Sequence, residues 1–183
     1  PWQVLNAAEF GVPQDRRRLF LMGAKRGLKL PRYPKKTTRK AGTMQGDLEL
    51  PFGPCVWDAL QDLPEAEAHP ELIDGDSVHA RFGEPGRYAL MLRGLTNAEE
   101  DFSHPRIYDR DILTSSARAD HTPLSRSRFA ATPHGDTEPI SRFHKLDPEG
   151  VCNTLRAGTA SDRGAFTSPR PIHRPCASAP CGA

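Results

Sequence analysis

Proline and glycine interrupt this 183-residue chain so often that long helices and strands are excluded from most of it. The sequence holds 18 prolines and 15 glycines, together about 18% of its residues. Proline breaks the interior of a helix and is excluded from central strands, and glycine favours turns. Their share stays below the roughly 25–30% that is typical of low-complexity chains. We therefore expect a folded chain of short elements and long loops around a modest core.

Membrane and disulfide-rich secreted classes do not fit the sequence. No run of 18 apolar residues occurs, and the first residues lack the basic-then-apolar order of a signal peptide. Four cysteines, far apart except for the last two, favour a reducing cytoplasm over a disulfide framework: Cys55, Cys152, Cys176 and Cys181. His173 and the last two cysteines lack the second ligand pair of a zinc signature, so no metal site is predicted.

The charges are sorted along the chain, which the net charge of +2 hides. Residues 14–40 carry eleven Lys or Arg and one acid, whereas residues 41–76 carry nine acids and neither Lys nor Arg. A basic block interrupted by Gly and Pro suits a polyanion, because each neutralised phosphate releases counterions. The alternative is a solvated loop whose charges serve only solubility.

The first 23 residues predict a strand, a capped turn and a second strand. Trp2 to Leu5 is an extended apolar stretch. Asn6 can cap a helical turn over Ala7 to Phe10, which Gly11 ends. The four apolar residues from 19 to 22 are typical of a short buried strand.

The remainder of the chain predicts one short helix among loops and short strands. Residues 24–54 hold Gly, Pro, Lys and Thr without a period, which indicates a long loop or linker. The apolar spacing over residues 56–63 predicts a helix that Pro64 ends. From there to about residue 140 we expect short strands and turns, such as a strand at Tyr88 to Leu92.

Gln14, Arg16 and Arg18 alternate as the chain enters the second strand. Side chains alternate with period two along a strand, so these three should share one face while Asp15 and Arg17 point away. Two guanidiniums on one face suit an anion or a carbonyl oxygen in front of them. The alternative is an ordinary pair of surface arginines.

Three segments in family order resemble the DNA (cytosine-5) methyltransferases of bacteria. The stretch VLNAAEFGVPQ, with Arg16 and Arg18 after it, is similar to motif VIII, Q-x-R-x-R. Residues 143–173 resemble motif IX, and residues 56–64 resemble the helix that opens the variable region between the two motifs.

The resemblance implies an α/β fold, with the back part of a Rossmann-like catalytic domain and a small, mostly β or irregular target recognition domain. It divides the chain into five parts. These are the end of the catalytic domain (1–23), a basic linker (24–55), the target recognition domain (56–142), the motif IX region (143–173) and a divergent tail (174–183).

The chemistry that the resemblance implies is methyl transfer from S-adenosylmethionine to C5 of a cytosine flipped out of double-stranded DNA. Arg18 matches the arginine that reaches the base pocket and polarises the cytosine O2, and Arg16 matches one nearer the DNA backbone. Gln14 matches the glutamine that we assign to holding this loop in place. Residues 154–159 would help to dock the recognition domain on the catalytic domain.

Two groups of basic residues are further candidates for DNA contacts. In the linker, four cations would touch phosphates: Lys35, Lys36, Arg39 and Lys40. In the recognition region, four arginines are candidates, with plain surface charge as the alternative: Arg81, Arg87, Arg126 and Arg128. Such contacts would place the protein in the cytoplasm on the nucleoid.

The departures from the family pattern predict a fragment. The family's nucleophile lies in a Pro-Cys motif before motif VIII, and its glycine-rich cofactor loop also comes earlier. Cys55, Cys176 and Cys181 each follow a proline, but all three come after motif VIII, so none matches that nucleophile. Residues 174–183 contain two prolines and cannot form the family's motif X helix.

Two hypotheses follow from the fragment prediction. In the first, the chain is a partial or frame-disrupted product of a longer methyltransferase, inactive alone and lacking most of the cofactor site. In the second, it is a non-catalytic subunit that binds DNA and completes an N-terminal half in trans. Both predict an uncovered apolar face on the strands at 2–5 and 19–22, and hence poor solubility alone.

Overall fold

The computed structural model describes residues 1–42, 48–96 and 108–154, which form two compact units. The first unit comprises Pro1–Val56 and Asp147–Thr154, and the second comprises Trp57–Leu146. Across the described ranges, no helix is long and apolar enough to cross a membrane. The strands are β1 (Trp2–Asn6), β2 (Gln14–Asp15), β3 (Arg17–Leu21), β4 (Val78–His79), β5 (Ile112–Leu113) and β6 (Cys152–Asn153), and the α-helices are α1 (Val56–Leu60), α2 (Arg87–Leu92) and α3 (Pro123–Ala131).

The first unit is built on two small sheets. Strand β1 pairs antiparallel with β3, with Val4 opposite Leu19, and β2 pairs parallel with β6, with Gln14 opposite Cys152. Between β1 and β2 the chain makes a single 3₁₀ turn over Ala7–Phe10. The structure is therefore mixed α/β with small sheets, as the predicted fold class requires at its coarsest level.

The predicted turn after β1 is confirmed residue by residue. The Asn6 side chain accepts a hydrogen bond from the Ala8 amide, and Gly11 ends the turn at φ +78°, where a residue without Cβ is favoured. Thr38 holds the turn from outside, because its hydroxyl accepts from the Gly11 amide and donates to the Ala8 carbonyl, each at 3.0 Å.

The predicted strand over residues 19–22 forms, but the expectation that it is buried is wrong. Its bounds are Arg17–Leu21, and every residue in it is exposed. The register places four apolar side chains on one face of the β1–β3 pair. The exposed fractions are 68% for Trp2, 51% for Val4, 57% for Leu19 and 77% for Leu21. A two-stranded ladder buries an apolar face only when another layer packs on it, and no described part of the chain does so.

We expect the double substitution Leu19→Thr with Leu21→Thr to raise the solubility of the isolated chain several-fold. Both leucines lie on the exposed face, and contiguous apolar surface drives association. Threonine keeps the strand propensity. Static light scattering against concentration measures the effect. Leu28→Thr is the matched control, since Leu28 is 69% exposed but lies in the loop. An equal gain in solubility from Leu28→Thr would contradict the proposal that the exposed β1–β3 face causes the association.

The linker is irregular, as predicted. Residues 24–42 and 48–54 contain no helix or extended strand, only an isolated bridge between Arg39 and Phe52. The following helix begins at Val56 as predicted but ends at Leu60 rather than at residue 63. The ring of Pro64 disfavours the helical conformation for the residue before it, Leu63, so the chain leaves the helix as a turn.

The second unit has a small core and few strands. Leu72, Ala80 and Leu113 are buried together, and β4 pairs antiparallel with β5 beside them. Four partly buried side chains pack on this cluster: Leu63, Ala66, Val78 and Phe82. A core of this size fits the short elements that the proline and glycine content predicts.

Two helices stand where the sequence predicted strands and turns. Tyr88 to Leu92 belongs to α2, so the predicted strand is wrong. The segment contains Ala, Leu and Met, which favour helix and are not β-branched, so its run of apolar residues was not enough to predict a strand. The helix α3 begins with Thr122 capping the Ser125 amide and Pro123 in its first turn. Among the described residues, helix therefore exceeds strand in this unit, whereas the resemblance implied a mostly β or irregular domain.

Lys145, in the segment that resembles motif IX, caps the C-terminal end of α3 from outside the helix. The Lys145 ammonium donates to the carbonyls of Phe129 at 3.1 Å and Thr132 at 2.7 Å, and it also contacts Ala130 O. Carbonyls at a helix C-terminus otherwise lack partners. The ring of Phe143 stacks on Phe129 at 5.7 Å. The segment that resembles the start of motif IX therefore packs on α3 within this unit.

Candidate functional site

The Gln14-x-Arg16-x-Arg18 segment lies at the junction of β2 and β3. Arg17 Nε approaches Asp15 Oδ1 at 4.0 Å, as side chains two residues apart do on one face of an extended chain. The amide of Gln14 donates to the Asn153 carbonyl at 3.4 Å. Gln14 thus ties the segment to β6, and its role in holding the two arginines stays a prediction.

Both backbone groups of Arg16 are held by the turn after β1. Its N–H donates to Asn6 Oδ1 at 3.0 Å, and its carbonyl accepts from the Ala7 amide at 3.0 Å. The Arg16 side chain is half-buried and that of Arg18 is exposed. A guanidinium NH₂ of Arg18 donates to the Arg17 carbonyl at 2.7 Å. The backbone is fixed while the Arg18 guanidinium stays open to solvent.

Asp15 joins this segment to three other parts of the first unit. Its carboxylate accepts from Asn6 Nδ2 at 2.9 Å and from Lys40 Nζ at 2.7 Å, and its backbone carbonyl accepts from Thr154 Oγ1 at 3.1 Å. The Lys40 ammonium holds the pKa of Asp15 below its ordinary value. The rest of the predicted docking segment, residues 155–159, lies outside the described residues.

The basic linker divides into cations with internal partners and cations that face solvent. Lys36 lies 2.6 Å from Glu9 Oε1, Lys40 pairs with Asp15, and Arg39 stacks over the Phe52 ring at 3.7 Å. The side chain of Lys35 is exposed and makes no hydrogen bond or ion pair with another described residue. Four more exposed cations lie earlier in the linker: Lys25, Arg26, Lys29 and Arg32.

The arginines predicted to contact DNA from the second unit also fall into two groups. Arg81 and Arg87 are exposed. Arg126 pairs with Asp120 at 3.0 Å, and Arg128 Nε lies 3.7 Å from the buried carboxylate of Glu138. The side chains of Arg128 and Glu138 line a groove of about 590 Å³. Their contact with DNA stays a prediction.

A buried ion pair that the sequence did not predict joins Asp62 and Arg93. Asp62 is 2% exposed, and its carboxylate accepts from Arg93 Nε at 2.9 Å and from a guanidinium NH₂ at 2.6 Å. The guanidinium lies over Phe82 at 5.0 Å and Tyr108 at 5.2 Å. Arginine suits such a place because its planar fork binds carboxylate bidentately and stacks on rings. The two residues lie 31 positions apart, so no local sequence pattern links them.

The two cysteines in the described ranges are partly or fully buried. Cys55 is buried, at 3% exposure, and burial raises the pKa of the Cys152 thiol. Cys176, Cys181 and His173 lie outside the described residues. Within the described ranges, no group of three or more metal-ligating side chains comes together.

Comparison with known proteins identifies the relatives of this chain. Residues 1–75 match the family model of C-5 cytosine-specific DNA methylase. The Type II methyltransferase M.XorII of Xanthomonas oryzae pv. oryzae is 55% identical over 172 residues, which cover 94% of this chain and 37% of that protein. The Type II methyltransferase M.MthTI of Methanothermobacter thermautotrophicus is 38% identical over 123 residues, covering 67% of this chain and 32% of its own length.

A solved structure agrees at the level of the fold. It is that of a prophage-encoded protein of E. coli assigned as a DNA modification methyltransferase, with a TM-score of 0.52 and 22% identity. The match covers 84% of this chain and 42% of the other. The chain thus spans well under half the length of the relatives it matches. The first 75 residues thus match a family model of C-5 cytosine-specific DNA methylase, and nearly the whole chain is similar to part of a Type II methyltransferase.

Proposed function

We propose that this chain forms the part of a DNA (cytosine-5) methyltransferase that contacts the flipped cytosine and the surrounding duplex. The observation that supports this most is the segment at the β2–β3 junction. There, both backbone groups of Arg16 are held by the turn after β1 while the Arg18 guanidinium faces solvent. A fixed backbone under an exposed guanidinium suits recognition of a base, because the backbone loses little conformational freedom on binding.

In this proposal Arg18 donates to the O2 of the flipped cytosine. The guanidinium is a cation with several N–H donors, so it can stabilise negative charge that develops on the base. Arg16 contacts the DNA backbone beside the flipped nucleotide, and Gln14 holds the segment to β6. A flipped base costs unstacking energy, which contacts to its polar edge offset.

The methyl donor in this proposal is S-adenosylmethionine. We propose that most of its site lies in the remainder of the enzyme, since after β3 Gly23 and Gly27 lead into irregular chain rather than into a helix whose amides could bind the cofactor. When bound by the remainder of the enzyme, the cofactor would supply the methyl group. We assign no residue of this chain to it.

The exposed β1–β3 face supports a place within a larger assembly. Its four apolar side chains need a covering layer, which either further sequence of a methyltransferase or a partner chain could supply. The alternative function, a non-catalytic DNA-binding subunit that acts with a partner in trans, shares this feature. Co-expression with the matching N-terminal part of a relative separates the two, because only the subunit hypothesis requires the two chains to associate when unlinked.

Two adjacent lysines test the proposed contact with duplex DNA. We expect Lys35→Gln to lower the slope of log affinity against log salt by about 0.9, the contribution of one phosphate contact. Lys36→Gln is the matched control, because its ammonium lies 2.6 Å from Glu9 and it should change the slope less. The double variant Lys29→Gln with Lys35→Gln should lower the slope by about two. Fluorescence anisotropy with a labelled duplex, at several salt concentrations, measures these slopes.

A chain without measurable duplex binding would overturn the proposed function. Equal slopes for the wild type and the Lys29/Lys35 double variant would show instead that the linker cations lie away from the phosphates.

A further inference from the structure

A chain of hydrogen bonds runs from the basic linker to the backbone of Arg16. Lys40 Nζ donates to Asp15 Oδ2 at 2.7 Å, and Asn6 Nδ2 donates to Asp15 Oδ1 at 2.9 Å. Asn6 Oδ1 in turn accepts from the Arg16 N–H at 3.0 Å. Each carboxylate oxygen of Asp15 thus has its own donor, and both ends of the Asn6 amide are engaged.

These bonds fix the orientation of the Asn6 amide. A flipped amide would place its NH₂ against the Arg16 N–H and its oxygen against the Asp15 carboxylate, so both contacts would become repulsive. The charge of Asp15 therefore acts through Asn6 on the Arg16 peptide. Arg16 lies where β2 passes into β3, so a rotation of its peptide would redirect Arg18.

The linker is anchored beside this network by contacts that do not involve Lys40. The amides of Thr37 and Thr38 donate to the Glu9 carbonyl at 3.0 and 3.2 Å, and Lys36 pairs with the Glu9 carboxylate. The linker segment that carries Lys40 is therefore held against the turn after β1 independently. Replacing Lys40 should break its bond to Asp15 without releasing the segment.

From this geometry we infer that Lys40, Asp15 and Asn6 are positioning residues that hold Arg16 and Arg18 in their productive geometry. The inference rests on the proposed function and assigns Lys40 to Asp15 rather than to a DNA phosphate. A displacement of about 1 Å at a reacting group can lower a rate by about 10²-fold, so a network that acts only through the backbone can control turnover.

The first test uses the chain itself and the Arg16 amide as reporter. In Lys40→Met and Asp15→Asn, the Arg16 N–H should exchange with deuterium at least about tenfold faster than in the wild type, a change of about 1.4 kcal/mol in opening free energy. Lys40→Arg should restore most of the protection, since it keeps a cation near Asp15. Lys35→Met is the control, because Lys35 is exposed and outside the network, and it should leave this amide unchanged. Unchanged exchange in both Lys40→Met and Asp15→Asn would overturn the network.

The second test separates positioning from DNA contact in an active enzyme. The enzyme is a chimaera in which this chain replaces the matching part of M.XorII. We expect Lys40→Met and Asp15→Asn each to lower kcat about tenfold with the KM for DNA within twofold of the wild type. The double variant should lose no more than either single variant, because the two residues act through one another.

Three other outcomes of the chimaera experiment would each contradict one part of the inference. A Lys40→Met variant with raised KM, a lower salt slope and unchanged kcat would make Lys40 a phosphate contact. Additive losses in the double variant would exclude action through Asp15. An unsubstituted chimaera that binds DNA but transfers no methyl group would overturn the proposed function and the catalytic role of the network with it, while the exchange measurement would still report the hydrogen bonds.

Discussion

Replacing Asp62 with alanine is expected to destabilise the second unit by about 3–5 kcal/mol, the cost of leaving one partner of a buried ion pair unpaired. Arg93 keeps only 14% of its side chain exposed, so its guanidinium cannot recover full hydration after Asp62 is removed. It also lies over Phe82 and Tyr108, and these rings hold it in place. The loss would exceed the typical cost of a point substitution, which is about 1 kcal/mol.

Urea unfolding can report this unit selectively. Trp57 belongs to the second unit and Trp2 to the first, so fluorescence in a Trp2→Phe background follows the second unit. Asp74→Ala is the control, since Asp74 is an exposed carboxylate of the same unit. The paired variant Asp62→Leu with Arg93→Met should recover much of the lost stability, because apolar replacement of both partners removes the unpaired charge. A loss below about 1 kcal/mol in Asp62→Ala would contradict the importance of the pair.

Arg18→Ala should lower kcat for methyl transfer by roughly 10²-fold or more in the M.XorII chimaera, the size expected when a donor to a developing oxyanion is lost. Affinity for duplex DNA should fall only a few-fold, because phosphate contacts supply most of it. A loss confined to the transition state lowers kcat and kcat/KM together.

Arg17→Ala provides the control for charge and position. Arg17 is the adjacent residue, and its side chain is 75% exposed. Its ion pair with Asp15, at 4.0 Å, therefore contributes little to stability. Its removal should leave kcat within a few-fold of the wild type. If Arg18→Ala weakened DNA binding and methyl transfer equally, the base-pocket role would be wrong and Arg18 would be a backbone contact.

The parts of the fold that the sequence predicted correctly depend on neighbours in the chain. The turn after β1 follows from the Asn6 side chain, which caps the Ala8 amide in the turn, and from Gly11, which takes a positive φ where the turn ends. The irregular linker follows from its glycines and prolines. Such features depend on local chemistry, which a single sequence contains.

The parts that could not be predicted depend on distant partners. Lys40 finds Asp15 across 25 residues and Lys36 finds Glu9 across 27, so a charge count could not separate these lysines from Lys35. The positions of the motif residues were predictable, whereas the network that holds them was not. Tyr88 to Leu92 shows a different limit, since a short apolar run fits either helix or strand.

The two lysine–carboxylate pairs of the linker also bear on how this chain can change over evolution. A substitution that removes Asp15 or Glu9 leaves a lysine without its partner. A substitution that removes Lys40 or Lys36 leaves the matching carboxylate unpaired. Exchange at one position is therefore tolerated best when the other changes with it. Positions 9 and 36, and positions 15 and 40, should vary together among relatives, whereas the solvent-facing lysines of the same linker have no such carboxylate partner in the described ranges and should show no matched change.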